Sequence, residues 1–180
     1  MAKRTIGVSI AIPEPYGSEL QSRRAGFGDP LANAIPTHVT LLPPTEVADE
    51  AMAEVEEHLR AVAAGEASFD IHLRGTGTFR PTSPVVFVQV ARGIPECERI
   101  EAAVRSGPLE RELHFPYHPH VTIAHHLPDH MLDLAFAELV DYDAVFPIWG
   151  FSLYEHGADG VWRPQRDFAF GQSLPGPLPV

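Results

Sequence analysis

A chain of 180 residues, 44% of them hydrophobic, is long enough to bury one core or to form two small lobes that share one. Its 24 acidic against 13 basic residues give a net charge of −11, which opposes the many phosphate contacts that broad, non-specific binding to long nucleic acid requires, while a small phosphorylated ligand in a local pocket stays compatible. No run approaches about 18 apolar residues, so no membrane partner is expected, and the single cysteine, Cys97, cannot pair within the chain, which points to a reducing, cytoplasmic setting.

Lys3 and Arg4 run straight into an apolar β-branched stretch with no small-residue cleavage site, so the N-terminus reads as mature structure and residues 6–12 as a strand, ended by Pro13 and Pro15. Residues 18–25 predict a short helix with Ser18 as N-cap and Gly26 and Gly28 as its stop. A strand opens at His38 and gives way to a loop at Pro43-Pro44-Thr45. Val47, Ala51, Val55, Leu59 and Val62 fall at helical spacing, so residues 48–64 form a helix that Gly65 ends. Residues 69–79 alternate as a strand, turn at 80–84, and pair with the apolar run 85–90. A helix over 95–105 follows, then a Gly107-Pro108 break and a short helical or irregular piece at 109–113. Pro119 introduces a second His strand, 129–140 is a helix with Asp129 favouring its N-terminal dipole, and 146–154 with 162–170 closes the chain as a hairpin. Residues 173–180 carry three prolines and read as an extended tail.

One pattern occurs twice: His38-Val39-Thr40-Leu41 and His120-Val121-Thr122-Ile123, 82 positions apart. On a strand, residues i and i+2 share a face, so each copy sets an imidazole beside a hydroxyl and puts two apolar anchors behind them. A Pro-containing loop, a helix and an apolar strand follow each copy, with Phe69 and Phe146 lying 31 and 26 residues beyond their histidines. This is a duplicated half rather than a repeat array. The expected architecture is α+β: one bilobal domain over 1–180, with two antiparallel sheets related by an approximate two-fold axis, helices on the outer faces and a central cleft.

If the halves face each other, two imidazoles and two hydroxyls converge. That set suits phosphodiester chemistry: one His takes a proton from the attacking oxygen, the other gives one to the leaving oxygen, and the hydroxyls hold the non-bridging oxygens, with no metal or cofactor required. A single strand histidine is more often a plain surface group, and only the duplication makes this pair informative. His114, His118, His125 and His126 gather near the second copy and raise a metal site as the competing reading, but no carboxylate or cysteine stands at ligand spacing. Tyr16 and Tyr117 are the aromatics better placed to stack on a base, with plain surface packing as the competing role for each, whereas Phe79, Phe87, Trp149 and Trp162 read as core. His58 and His72 read as surface or packing residues.

The paired motifs resemble those of the 2H phosphoesterase superfamily, near its bacterial RNA 2′,3′-cyclic phosphodiesterase and 2′-5′ RNA ligase group, and the likeness spans essentially the whole chain. The resemblance implies a bilobal fold and carries general acid and base roles to His38 and His120 and phosphate binding to Thr40 and Thr122. It also implies a substrate contact five positions after the second motif histidine. That position holds His125, a departure from the commoner Arg or Tyr. It implies as partner a small cyclic nucleotide or an RNA terminus bearing a 2′,3′-cyclic phosphate, opened to a 2′-phosphomonoester, with weak 2′-5′ ligation as the reverse. A monomer is expected. The alternatives are a 2′-5′ oligonucleotide or ADP-ribose cyclic phosphate phosphodiesterase, and a non-catalytic phosphonucleotide-binding module.

Overall fold

The structure, a computed structural model, describes residues 2–171. The expected tail at 173–180 lies outside them. Eight strands, four α-helices and two short 3-10 turns follow in the order β1 (Lys3–Ala11), α1 (Tyr16–Gly26), β2 (His38–Ala48), a turn at Asp49–Ala51, α2 (Met52–Ala64), β3 (Phe69–Thr78), β4 (Val85–Arg92), α3 (Ile94–Val104), a turn at Gly107–Leu109, β5 (His120–His125), α4 (Asp129–Glu138), β6 (Asp143–Ile148), β7 (Gly150–His156) and β8 (Trp162–Ala169). They build two four-stranded antiparallel sheets, β2-β1-β7-β8 and β5-β4-β3-β6. The two orders correspond strand by strand: a motif strand at one edge, a buried strand beside it, then two more. This is the α+β, two-sheet, pseudo-two-fold architecture that the sequence predicts.

The central strands β1 and β4 carry near-continuous apolar runs, Ile6 to Ile10 and Val85 to Val88, and are buried on both faces as neighbours on either side demand. Helix α2 buries Val55, Leu59 and Ala63, one residue per turn, and packs against α3 and β8. Helix α4 covers β3, β4 and β5. The helices that precede the motif strands exchange sides: α1 leads into β2 but packs on β5, and α3 leads into β5 but packs on β2. Each lobe thus braces the other's motif strand.

Several boundaries differ from the sequence reading, each for a physical reason. Pro43 and Pro44 lie inside β2 rather than in a loop, because β2 is an edge strand and both prolines fall in an irregularity of its ladder, between Leu42 opposite Val8 and Thr45 opposite Ile6, where no partner is missed. Ser18 does not cap α1. The helix begins two residues earlier, and the Ser18 amide and hydroxyl donate to the Glu14 carboxylate at 3.2 and 2.6 Å. Residues 146–154 are two strands, not one: the chain leaves the second sheet after Ile148 and enters the first at Gly150, with Trp149 as the crossing. Finally, the Phe69 and Phe146 segments are not counterparts. Strands β3 and β6 lie side by side in one sheet, Ile71 opposite Phe146, and the strand that occupies in the first sheet the place of β3 in the second is β7.

Candidate active site

The burial pattern of the two motifs is the same. Val39, Leu41, Val121 and Ile123 are fully buried, while His38, Thr40, His120 and Thr122 are half-buried on the opposite face. The likeness extends beyond the pattern. In the β1/β2 ladder Thr40 faces Ser9 and Leu42 faces Val8, so Leu41 is an extra residue; in the β4/β5 ladder Thr122 faces Phe87 and Ala124 faces Val86, so Ile123 is an extra residue. Both motif strands therefore carry a β-bulge directly after their threonine. An inserted residue resets the alternation, so the fifth position after each histidine, Pro43 and His125, returns to the face of the histidine and threonine.

Backbone carbonyls fix both imidazoles in one way. His38 Nδ1 lies 2.7 Å from the Pro36 carbonyl oxygen and His120 Nδ1 lies 2.7 Å from that of His118. A carbonyl only accepts, so each Nδ1 carries the hydrogen and each neutral ring presents the Nε2 lone pair away from the backbone. At His38 the Thr40 hydroxyl donates to that lone pair at 3.1 Å. Burial pushes the His38 pKa down to about 4 against the support of the Pro36 carbonyl, with the nearby positive charges of Arg24 and of protonated His120 adding to the fall. Burial also lowers His120, with a protonated His118 as the repelling neighbour, and lowers His125. Both motif rings are accordingly neutral at pH 7 in the free protein.

Two cavities flank the motif face, and Thr40 and Pro43 line both. One, of about 460 Å³, holds His120 and is walled by Phe79, Phe115 and Tyr117. Phe79 and Phe87 support the His120 ring at 4.9 and 5.2 Å between centroids. The other, of about 110 Å³, holds His38 and Pro36 and is walled by Tyr154 and Trp162. Gly7 makes room for Trp162: a Cβ there would stand 3.2 Å from the indole. The segment between α3 and β5 is fastened to β2 from across the cleft. The Tyr117 hydroxyl donates to the Thr40 carbonyl at 2.8 Å, and Arg111 Nη1 donates to Thr45 Oγ1 at 2.9 Å. Lobes and motifs are thereby held together by direct bonds.

Of the residues singled out in the sequence, His38, Thr40, His120, Thr122 and His125 share one strand face in their respective sheets, and Tyr117 lines the His120 cavity. Tyr16 lines neither cavity; it packs on Phe146, 5.4 Å between ring centres, at the start of α1. Phe79 and Trp162, read as core from their strand-like surroundings, prove to wall the cavities. Phe115, 70% exposed in an irregular segment, offered no periodic signal at all. Among the described residues no three His, Cys, Asp or Glu side chains are grouped to hold a metal ion.

A Bacillus thuringiensis (strain Al Hakam) protein, provisionally named a phosphoesterase, is 28% identical over 146 residues, covering 80% of this chain and 84% of that one. Similar solved structures include TT0787 of Thermus thermophilus, with a TM-score of 0.61 at 23% identity over 93% of this chain and 98% of that one. Another is E. coli LigT complexed with 3′-AMP, with a TM-score of 0.59 at 21% identity over 94% and 99%; these likenesses establish the shared fold. The family model of the 2′-5′ RNA ligase superfamily matches residues 12–160, spanning both motifs, and the chain belongs to that superfamily of 2H phosphoesterases.

Proposed function

We propose that this phosphoesterase opens ribose 2′,3′-cyclic phosphates, on small nucleotides or RNA ends, by metal-independent acid–base catalysis between His38 and His120. The observation that carries this reading is the identical setting of the two rings, each with Nδ1–H on a carbonyl and each aiming Nε2 from a bulged edge strand. In the step proposed, one Nε2 takes a proton from water as its oxygen bonds to phosphorus. The bond from phosphorus to the 3′-oxygen breaks, and the other ring, protonated, gives its Nε2 proton to that oxygen. One water is added and a 2′-phosphomonoester leaves. Thr40 and Thr122 donate to the non-bridging oxygens. The reverse step, in which a 5′-hydroxyl replaces water, is a weak 2′-5′ ligation. LigT, a fold relative, is known in complex with 3′-AMP, and the apolar cavity beside His120 offers room for a nucleoside.

The test is turnover of the four 2′,3′-cyclic mononucleotides by the wild-type protein and its loss in His38→Ala and His120→Ala. The pH dependence has a definite sign. The base must be neutral, so activity falls as pH drops through its pKa; the acid must be protonated, so activity falls as pH rises through its pKa. Both rings lie below the ordinary 6.5 in the free protein, His38 at about 4. The kcat/KM optimum is therefore expected on the acid side, between about pH 4 and 6.5, with kcat displaced upward because the bound phosphate anion favours imidazolium. A kcat/KM plateau extending above pH 8 would contradict this.

Phe115 gives a second expectation. An exposed ring at the mouth of the His120 cavity can stack on a base but cannot reach a proton in flight. Phe115→Ala should raise KM by roughly 5- to 100-fold and leave kcat within about twofold, the range for losing one base–aromatic stack. Steady-state kinetics on a cyclic mononucleotide separates the two constants.

A further inference from the structure

A phosphodiester is an anion, yet the site as described offers it two neutral imidazoles and two hydroxyls, in a protein of net charge −11. A fixed positive charge close by would favour the anion at any pH. Helix α1, whose sequence shows no motif, carries a buried arginine. Arg24 has a side chain only 8% exposed, and its partner Asp29 is 0% exposed. The pair is joined through one guanidinium nitrogen, with Nε donating to Asp29 Oδ2 at 2.8 Å. Asp29 is fully engaged, accepting also from the Leu31 amide at 2.9 Å and from the His125 amide at 3.0 Å. This last bond ties the pair to the end of β5, where the bulge has turned His125 onto the motif face.

The two Nη groups are the part left over. Neither donates to any of the described residues, whereas Nε is committed to Asp29. A guanidinium gripped from behind by a buried carboxylate, with its fork uncommitted, is pre-organised for an oxyanion. Its position agrees: α1 packs on β5, Asp29 ties the pair to the His125 amide, and the Arg24 charge lowers the pKa of both His38 and His125.

We infer that Arg24 is an anion-binding residue of this site, donating through Nη1 and Nη2 to the non-bridging oxygens of a phosphate held between His38 and His120. The inference rests on the phosphodiesterase reading for its ligand, but it concerns binding and is tested without turnover. Inorganic phosphate is titrated into the wild-type protein, Arg24→Gln and Arg23→Gln by isothermal calorimetry, with thermal melting to check each fold. Loss of two charge-assisted hydrogen bonds should weaken phosphate binding by roughly 10- to 100-fold in Arg24→Gln. Arg23→Gln, which removes the same charge from the half-exposed neighbour paired with Glu138, should bind within about threefold of wild type. Equal losses in both variants would make the effect one of net charge alone, and an unchanged affinity in Arg24→Gln would remove it from the site; either overturns the inference. Should Arg24→Gln not fold, the wild-type protein decides: in nitrogen-15 spectra the Arg24 Nε–H signal should move with phosphate in step with the His38 and His120 ring signals, and a stationary signal overturns it. Failure of the cyclic phosphate assay alone would leave these binding results standing, and their failure would leave the acid–base pair standing.

Discussion

Replacing either motif histidine by alanine should lower kcat/KM on a 2′,3′-cyclic nucleotide by roughly 10²- to 10⁴-fold, the contribution of one positioned acid or base. The double variant should be little worse than either single one. Once one proton transfer is lost, the other ring has no productive partner, so the losses do not multiply. Stability should change little. Each ring is half-buried, and its one bond to the backbone, to Pro36 or His118, contributes about 1 kcal/mol. Unchanged thermal melting beside collapsed turnover is thus the expected pair of results, and wild-type turnover in either variant would dismiss the acid–base assignment.

The second large effect should come from the threonines. Thr40→Val and Thr122→Val keep shape while deleting a donor to the developing charge on phosphorus, and removing one such donor typically costs about 10²- to 10³-fold in kcat. The two variants should nonetheless differ in one respect. The Thr40 hydroxyl donates to the His38 lone pair at 3.1 Å and so favours the neutral ring. Without it the His38 pKa rises, and the limb of the kcat/KM profile that reports His38 moves to higher pH. No protein bond from the Thr122 hydroxyl is recorded among the described residues, so Thr122→Val should lower the rate with that limb in place. Full pH–rate profiles on both variants check the contrast. An equal shift in each, or none, would mean that Thr40 does not tune His38.

What the sequence could reveal was whatever repeats with a short period. The alternation in β2 and β5 placed His38, Thr40, His120 and Thr122 on exposed faces over buried Val39, Leu41, Val121 and Ile123, and the helical spacing of Val55 and Leu59 located α2. Features set by long-range pairing were hidden. That Pro43 and Pro44 continue a strand depends on β2 being an edge, which is a property of the sheet and not of the dipeptide. The bulges at Leu41 and Ile123 exist only against β1 and β4, yet they decide that the residue five positions on faces the site. Equating the segments at Phe69 and Phe146 followed sequence order, and the chain's exchange between sheets breaks that correspondence. Arg24 was invisible for the plainest reason: an arginine near the end of a short helix reads as solvated until Asp29 and β5 are seen to bury it. Phe79 and Trp162 show the converse, aromatics of strand-like segments that look like core but wall a cavity, Phe79 beside His120 and Trp162 on the face of the first sheet beside His38.

In the mechanism proposed, two imidazoles from separate lobes act on one phosphorus, water entering on one side as the 3′-oxygen leaves on the other. Phosphorus-31 NMR of the products formed from the four 2′,3′-cyclic mononucleotides, in water half enriched in oxygen-18 and run between pH 4 and 8, tests both halves of that step at once. Expected are 2′-phosphomonoesters carrying a single solvent oxygen, formed fastest on the acid side of neutrality. Exclusive 3′-phosphate, or no turnover of any of the four across that range, would contradict it.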